Sequence, residues 1–389
     1  MDSILDRAIT AALQAANPEL ALNRHLHRQQ HTLTIAQHPY DLRDRDIRLI
    51  VVGKGAIPMA RAFATILGDV IDSAVVITKY DHTGNTQLPA HWQLIEAAHP
   101  VPDQNSQFAG DRVCQLLENC TEKTLIFAGI SGGASALMVA PQARISLSMI
   151  QVINEALLRS GADIGEMNAV RSHLDRLKGG GFVELAQPAQ VVGLILSDVV
   201  GDPLDVIASG LTNHPSAQNS LIGNNRQACE AVAQVFSKAG YAVEIVTTEL
   251  TGEAQIRGRE IATQIGQRPA GTVLIYGGET TVTMTAETRS KGGRNQELAL
   301  AAAIALHQRQ IPATILTLAT DGTDGPTDAA GAWVDSSTVT QAIAQGLDAQ
   351  LALEQHDSYP FFAQLNHLVI PGPTGTNVAD VTIALKPLT

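Results

Sequence analysis

Cysteine is scarce in this 389-residue chain: Cys114, Cys120 and Cys229 are all it has. Three thiols at those spacings form neither a disulfide framework nor a zinc motif, which excludes the small disulfide-stapled class. Long apolar runs are missing too. No stretch reaches the roughly 18 residues of a membrane span, and the longest are the size of strands or core helices. Positive charge is in deficit, with 26 Lys and Arg against 38 Asp and Glu and a formal net charge of −12. Such a chain has no general field for DNA, RNA or an anionic membrane, so any phosphate it binds needs a local cationic pocket. Met1 to Arg7 lack a positive segment followed by an apolar core, so no secretory leader is expected and the expected location is the cytoplasm. Asn119-Cys120-Thr121 fits a glycosylation pattern that has no meaning without export. Tandem repeats and low-complexity tails are absent as well.

What is present suits proper cores: 45% hydrophobic residues, punctuated by 32 Gly and 17 Pro. The length predicts two domains. The first forty residues read helical, through Ile4, Ile9, Leu13 and Ala16, then through Leu22, Leu26 and Leu33. Strand-like runs at 47–52, 74–78, 92–97, 124–128 and 191–196 then alternate with helical patterns, which predicts a mainly parallel sheet. A long helix over about 218–239 is expected to close this unit. A second set of elements begins at Tyr241. Its strands 272–276 and 281–285 are close enough for a hairpin, which would make that sheet mixed. The residues from Leu298 to Leu306 are apolar on every side and predict a buried helix, followed by a strand at 314–318. The boundary is expected near residue 240, giving domains 1–240 and 241–389. The fold class is thus α/β, with a mainly parallel sheet followed by a smaller unit.

Five polar, glycine-rich segments lie beyond predicted strand ends, where open α/β sheets hold ligands. Gly53-Lys54-Gly55 resembles the start of a dinucleotide fingerprint, but Pro58 takes the third glycine place. Lys54 there is either a cation for a phosphate or carboxylate, or a solvated turn residue. Ser131-Gly132-Gly133-Ala134-Ser135 has the small residues that let successive backbone N–H groups converge on an anion. It is neither a Walker loop nor a nucleophile elbow. Arg171 to Gly181 concentrates Arg171, Arg176 and Lys178, with Arg171 and Lys178 two turns apart if one helix persists. Asp198 directly follows an apolar strand, where a carboxylate suits Mg²⁺ or caps the next helix. The fifth segment runs from Thr320 to Asp328 and includes Asp321. Upstream of it lie Glu279-Thr280 and Gly292-Gly293-Arg294. An arginine at the positive end of a helix is a poor structural choice; either a bound anion removes the conflict or Arg294 is a surface residue. His27 and His31 have helical spacing but no acid between them and no third ligand.

Taken together, these segments resemble the glycerate 2-kinase family. The likeness rests on Gly53-Lys54-Gly55-Ala56, His99-Pro100-Val101-Pro102-Asp103, Ser131–Pro141, Arg171–Gly180, Ser197–Gly210, Gly292–Glu297, Thr320–Gly331 and Thr374-Gly375-Thr376-Asn377. It runs nearly end to end and implies an N-terminal Rossmann-like domain and a smaller C-terminal MOFRL domain. It further implies transfer of the γ-phosphoryl of ATP to D-glycerate with a divalent metal, in a cleft between the domains, with Lys54 and Arg294 as key residues. On that basis Asp198 joins Lys54 and Arg294 as catalytic. Gly53, Gly55, Ser131, Gly132, Gly133, Ser135 and Asn377 are expected at ATP. Arg171, Lys178, Glu279 and Thr280 are expected at D-glycerate, and Asp198 and Asp321 at Mg²⁺. The chain departs from the family's pattern at Leu211, where Pro is usual, and at Ala134, where Gly is usual. Some members are labelled hydroxypyruvate reductases, so an NAD(P)H-dependent reductase is the enzyme alternative. A metabolite-binding protein without turnover is the other. The expected partner is a small molecule, with no nucleic acid and no membrane, and monomer and homodimer are both open.

Overall fold

The computed structural model describes residues 3–160, 164–284 and 290–388. They form two compact units, one of residues 17–224 and one of residues 1–16 with 225–389.

The first unit begins with the helix Pro18–His25, capped by the Asn17 side chain and ended where Leu26 turns extended. Helix does not continue through Leu26 and Leu33 as expected. Instead β1 (Leu26–Gln29), β2 (Thr32–Ile35) and β3 (His38–Asp41) make an antiparallel meander. Leu33, Ile35 and Tyr40 point inward from it, and the leucine spacing only imitates a helical period.

The main sheet holds β4 (Asp46–Val52), β5 (Ser73–Lys79), β6 (Trp92–Ala97), β7 (Thr124–Ile130), β8 (Gln190–Leu196) and β9 (Ala217–Gly223). All pairings are parallel, in the order β6-β5-β4-β7-β8-β9. Counted from β4 this is the doubly wound order, whose direction reverses between β4 and β7 and opens a crevice at their carboxyl ends. The apolar runs make these strands because both faces are covered. Ile50 and Val52 join a cluster with Val113 and Phe182, while Val51 packs near Met59 and Phe63 of the helix Ala56–Leu67 around Gly129. Each large side chain buried in this way contributes about 1.5–3 kcal/mol. Leu211 belongs to the same core.

The helix expected over 218–239 is shorter. Its first third is the edge strand β9, and the helix runs Asn225–Lys238. It packs on the helix Ser3–Ala16 and on the strands of the second sheet, so by packing it belongs to the unit that resumes at Asn225.

The second unit holds β10 (Ala242–Leu250), β11 (Thr272–Gly278), β12 (Thr314–Ala319), β13 (Gly331–Asp335), β14 (Leu368–Val369) and β15 (Asp380–Leu385). Their order is β10-β11-β15-β12-β13-β14, with β10 and β11 parallel and the other pairs antiparallel. The sheet is mixed, but not through the expected hairpin. Thr281 makes a single bridge to Glu253 and residues 282–284 form no strand; Thr285 lies outside the described residues. The mixing comes from β15, which inserts between β11 and β12. The helix Arg294–Gln308 is buried on all sides from Asn295 to Leu306, as its composition predicts.

Candidate active site

In the parallel-sheet unit the loops after β4 and β7 are stitched together at the switch point. Ser131 N–H donates to Val52 O (3.0 Å), Lys54 N–H to Gly132 O (2.8 Å) and Gly55 N–H to Ser131 Oγ (3.0 Å). These bonds occupy the backbone donors that a dinucleotide loop aims at pyrophosphate. The β7 loop is different. Among the described residues, the N–H groups of Gly132, Gly133, Ala134 and Ser135 have no acceptor. They are the open donors at the start of the short helix Ala134–Leu137, in the loop where the sequence leads one to expect an anion cradle. Gly133 carries φ +86°, whereas Ala134 lies outside the left-handed region, so its methyl group costs the loop nothing.

Side chains converge on this cradle. A Cβ on Gly132 would lie 2.0 Å from Asp198 Oδ2, so that carboxylate rests directly against the loop. A Cβ on Gly133 would lie 3.0 Å from His99 Cδ2 and 3.5 Å from Lys54 Cγ. Lys54 is half-buried, and its ammonium has no ion-pair or hydrogen-bond partner among the described residues. The Ser135 hydroxyl meets Ser209 Oγ at 2.9 Å; Ser209 donates to Asn168 Oδ1 at 3.2 Å, and Arg171 Nη1 reaches the same oxygen at 3.5 Å. Arg171 is thereby tied to the glycine loop, and burial pulls its pKa down.

Lys178 is positioned otherwise than expected. The helix Ile164–Leu174 ends before it, so Arg171 and Lys178 do not share a helix face. Lys178 is 6% exposed and pairs with Asp175 at 3.4 Å. Burial lowers its pKa, Asp175 opposes that, and Arg171 adds to it. Asp175 also accepts the N–H groups of Ala140 and Leu177. This is an interior ion pair holding a turn.

In the C-terminal unit, Arg294 opens its helix between two carboxylates. Its Nε and Nη2 donate to Asp380 at 2.6 and 3.1 Å, and its Nη1 lies 2.6 Å from Glu279. The anion expected to relieve a cation at a helix entrance is thus supplied by the protein. The helix's own N–H groups at Asn295 and Gln296 donate to Asp324, a carboxylate that serves as its cap. Burial works against the Arg294 charge, but Asp380 and Glu279 outweigh it and raise its pKa. Burial lifts the Asp324 and Asp380 carboxyls to about 6, against the pull of their hydrogen bonds.

Glu279, Thr280, Arg294, Glu297, Asp324 and His356 line a pocket of about 370 Å³ in this unit. His356 Nδ1 lies 2.8 Å from the buried Glu297, which also accepts Gln255 Nε2 at 2.9 Å. Asp321 accepts Thr323 N–H in a local turn, and Asn377 accepts Ala379 N–H. Among the described residues no three His, Cys, Asp or Glu side chains are grouped to hold a metal ion. No described helix is long and apolar enough to cross a membrane.

The structure brings the two expected loops together and sets Arg294 at a helix entrance. The sequence-based expectation omits Asp380, which holds the Arg294 guanidinium, and gives His99 no role, although His99 lies two residues beyond β6.

Comparison with known proteins shows the family. The family model described as Domain of unknown function (DUF4147) matches residues 4–236, and the MOFRL family model matches residues 272–380. A protein of Thermotoga maritima named D-glycerate 2-kinase is 41% identical, over 87% of this chain and 90% of its own. A relative from Agrobacterium vitis, 37% identical over 87% of this chain and 98% of its own, carries a hydroxypyruvate reductase name. The crystal structure of glycerate kinase from Thermotoga maritima superimposes with a TM-score of 0.89 at 36% identity, covering 98% of both chains. With both domain models in order and relatives matched nearly end to end, this chain belongs to the glycerate 2-kinase family.

Proposed function

We infer that the protein is an ATP-dependent glycerate 2-kinase, forming 2-phospho-D-glycerate and ADP from D-glycerate and ATP. The observation that carries the reading is the unpaired Lys54 ammonium beside four unengaged N–H groups at the sheet's switch point. In an acidic protein, such a site is built for a multiply charged anion. The occupied donors of Lys54 and Gly55 speak against a dinucleotide at the β4 loop.

In phosphoryl transfer the glycerate 2-oxygen bonds to the γ-phosphorus while the bond to the β–γ bridging oxygen breaks. Little covalent chemistry is demanded of the protein; it positions the reactants and meets the charge. The 132–135 loop binds phosphate oxygens through its N–H groups, with Gly53, Gly55, Ser131 and Ser135 shaping the nucleotide side. Lys54 neutralises charge at that loop. Arg294, its fork held by Asp380, stabilises the transferring oxygens through the arm that now meets the more exposed Glu279. Arg171 takes the glycerate carboxylate, with Thr280 and Asn377 as further polar contacts. Lys178 is left out because its ammonium is enclosed and paired.

Mg²⁺ binds through one or two carboxylates completed by phosphate oxygens and water, so it needs no all-protein cage. Asp198 against the cradle and Asp321 in its turn suit that donor set. When bound, the ion would neutralise charge on the phosphates. Asp198 is also assigned the hydroxyl proton as the new bond closes; a loose transition state needs no strong base. We take the protein to be cytoplasmic. Every residue assigned comes from one chain, so monomer and homodimer serve equally.

A coupled ADP assay with D-glycerate and Mg·ATP, followed by NMR to separate 2- from 3-phosphoglycerate, tests the reading. Glycerate-dependent ADP release with the 2-phosphate as product is expected. Its absence, or hydroxypyruvate-dependent NADH oxidation at 340 nm, would overturn it.

A further inference from the structure

The β6 loop brings one more polar group to the cradle. His99 follows β6, and the chain there is anchored from two sides. Ala98 N–H donates to Asp103 Oδ1 at 3.3 Å, and Asp103 caps the helix Gln104–Leu117 in a capping box with Ser106. Tyr80 OH donates to the other Asp103 oxygen at 2.7 Å, and Asn105 Nδ2 to Glu96 O at 3.0 Å. These bonds fix the end of β6 and so the direction in which His99 leaves it. The imidazole lies against Gly133, where a Cβ would come within 3.0 Å of Cδ2 and 3.2 Å of Nε2. The left-handed φ of +86° and this contact together explain glycine at 133.

His99 is partly buried, and among the described residues neither ring nitrogen has a hydrogen-bond partner. Neither nitrogen is enclosed, so both stay open to an incoming ligand beside the Gly133 contact. Three cations or potential cations face it, Lys54, Lys79 and His82, and burial followed by Lys54 pushes its pKa down to about 4. Near neutral pH the ring is therefore uncharged. It offers one N–H donor and adds no further repulsion beside Lys54.

We propose that His99 contacts the substrates directly, donating its ring N–H to an anionic oxygen seated on the 132–135 loop beside Lys54. That oxygen belongs to an ATP phosphate or to the glycerate carboxylate. The proposal rests on the kinase reading for the identity of the anion, but not for the presence of one.

Kinetics of His99→Ala, His99→Gln and His99→Asn test it, with D-glycerate and ATP varied separately. The two amides place an N–H donor near the positions of Nε2 and Nδ1. Loss of the donor is expected to lower kcat/KM about 10- to 100-fold in His99→Ala, with partial rescue by one amide. A rise in the KM of ATP alone identifies the phosphate, and of glycerate alone the carboxylate. Unchanged kcat/KM in folded His99→Ala, or the same loss in all three variants, overturns the proposal. A second measurement does not depend on turnover. In wild-type protein with isotope-labelled histidine, the imidazole signal missing from His99→Gln should shift on adding ATP or D-glycerate. A signal that moves with neither overturns the proposal. A wild-type protein without glycerate-dependent ADP release, but with a shifting His99 signal, would instead remove the kinase reading and leave the anion contact standing.

Discussion

The β4–β7 corner of the parallel-sheet unit and the Arg294 corner of the C-terminal unit each set a cation at the entrance of a helix. Their surroundings are opposite. Lys54 has no partner among the described residues, and the nearby N–H groups at 132–135 have no acceptor. Arg294 has two carboxylates, and its helix N–H groups are taken by Asp324. The Lys54 ammonium, partly open to solvent, is left available for the anion of the proposed reaction. Arg294 is held in one geometry by its two carboxylates, which is what its proposed role in preorganised charge stabilisation requires. One corner keeps its binding capacity unspent, while the other spends part of it on rigidity.

Substitution should separate the two. Lys54→Ala is expected to lower kcat/KM by about 10³-fold, the scale of a lost charge contact to a transferring phosphoryl group. It should leave Tm nearly unchanged, because no side-chain ion pair or hydrogen bond is lost. Arg294→Ala should also lose activity but should in addition cost about 3–5 kcal/mol of stability, since it strands the buried Asp380. Urea titration of both variants beside the ADP assay checks this. If Lys54→Ala proved as destabilised as Arg294→Ala, the contrast would fail. Arg294→Lys sharpens it: charge remains, but a lysine cannot hold the two-point grip on Asp380, so kcat should fall more than stability.

Lys178 supplies a third kind of cation, enclosed and committed. Lys178→Ala should destabilise by about 3 kcal/mol through the unpaired Asp175, while the kcat/KM of the folded fraction stays within about threefold of wild type. A large kcat/KM loss with unchanged stability would restore the substrate role that its neighbours in sequence suggested.

The contrast also explains what was legible beforehand. Gly53–Gly55 and 131–135 are local signals, since each is a short break after an apolar strand and parallel strands bring all such breaks to one edge. Helix 294–308 was equally plain, because apolar residues on all sides have one explanation. Asp380 was not legible. It meets Arg294 only because β15 returns from the end of the chain to insert between β11 and β12, a pairing that no local pattern encodes. The hairpin drawn at 272–285 was the local guess for the partner strand that β15 in fact supplies. Similarly, β9 was absorbed into the helix that follows, because Leu221 and Ile222 satisfy either period. His99 stands in a sequence motif that names no task for it, since its meaning depends on contact with Gly133.

The smallest expected effect is in the pH dependence of stability, where the two corners should oppose each other. Burial raises Asp324 and Asp380 from an ordinary 3.8 to about 6. The folded unit then holds protons that the unfolded chain has released. Their contribution is full below about pH 4 and is lost as pH rises through 6. His99 runs the other way, lowered from an ordinary 6.5 to about 4. The unfolded chain binds its proton first, so that contribution is full above pH 6.5 and is lost as pH falls through 4. In a global melt the two partly cancel across pH 4–6.5, which is why the expected slope is shallow. Amide-exchange protection, corrected for intrinsic rates, should separate them, with β7 gaining protection and β15 losing it as pH rises across that window. His99→Gln should flatten the first trend and Asp380→Asn the second. If both strands followed the same slope in wild-type protein, neither group's burial would control the stability of its own corner.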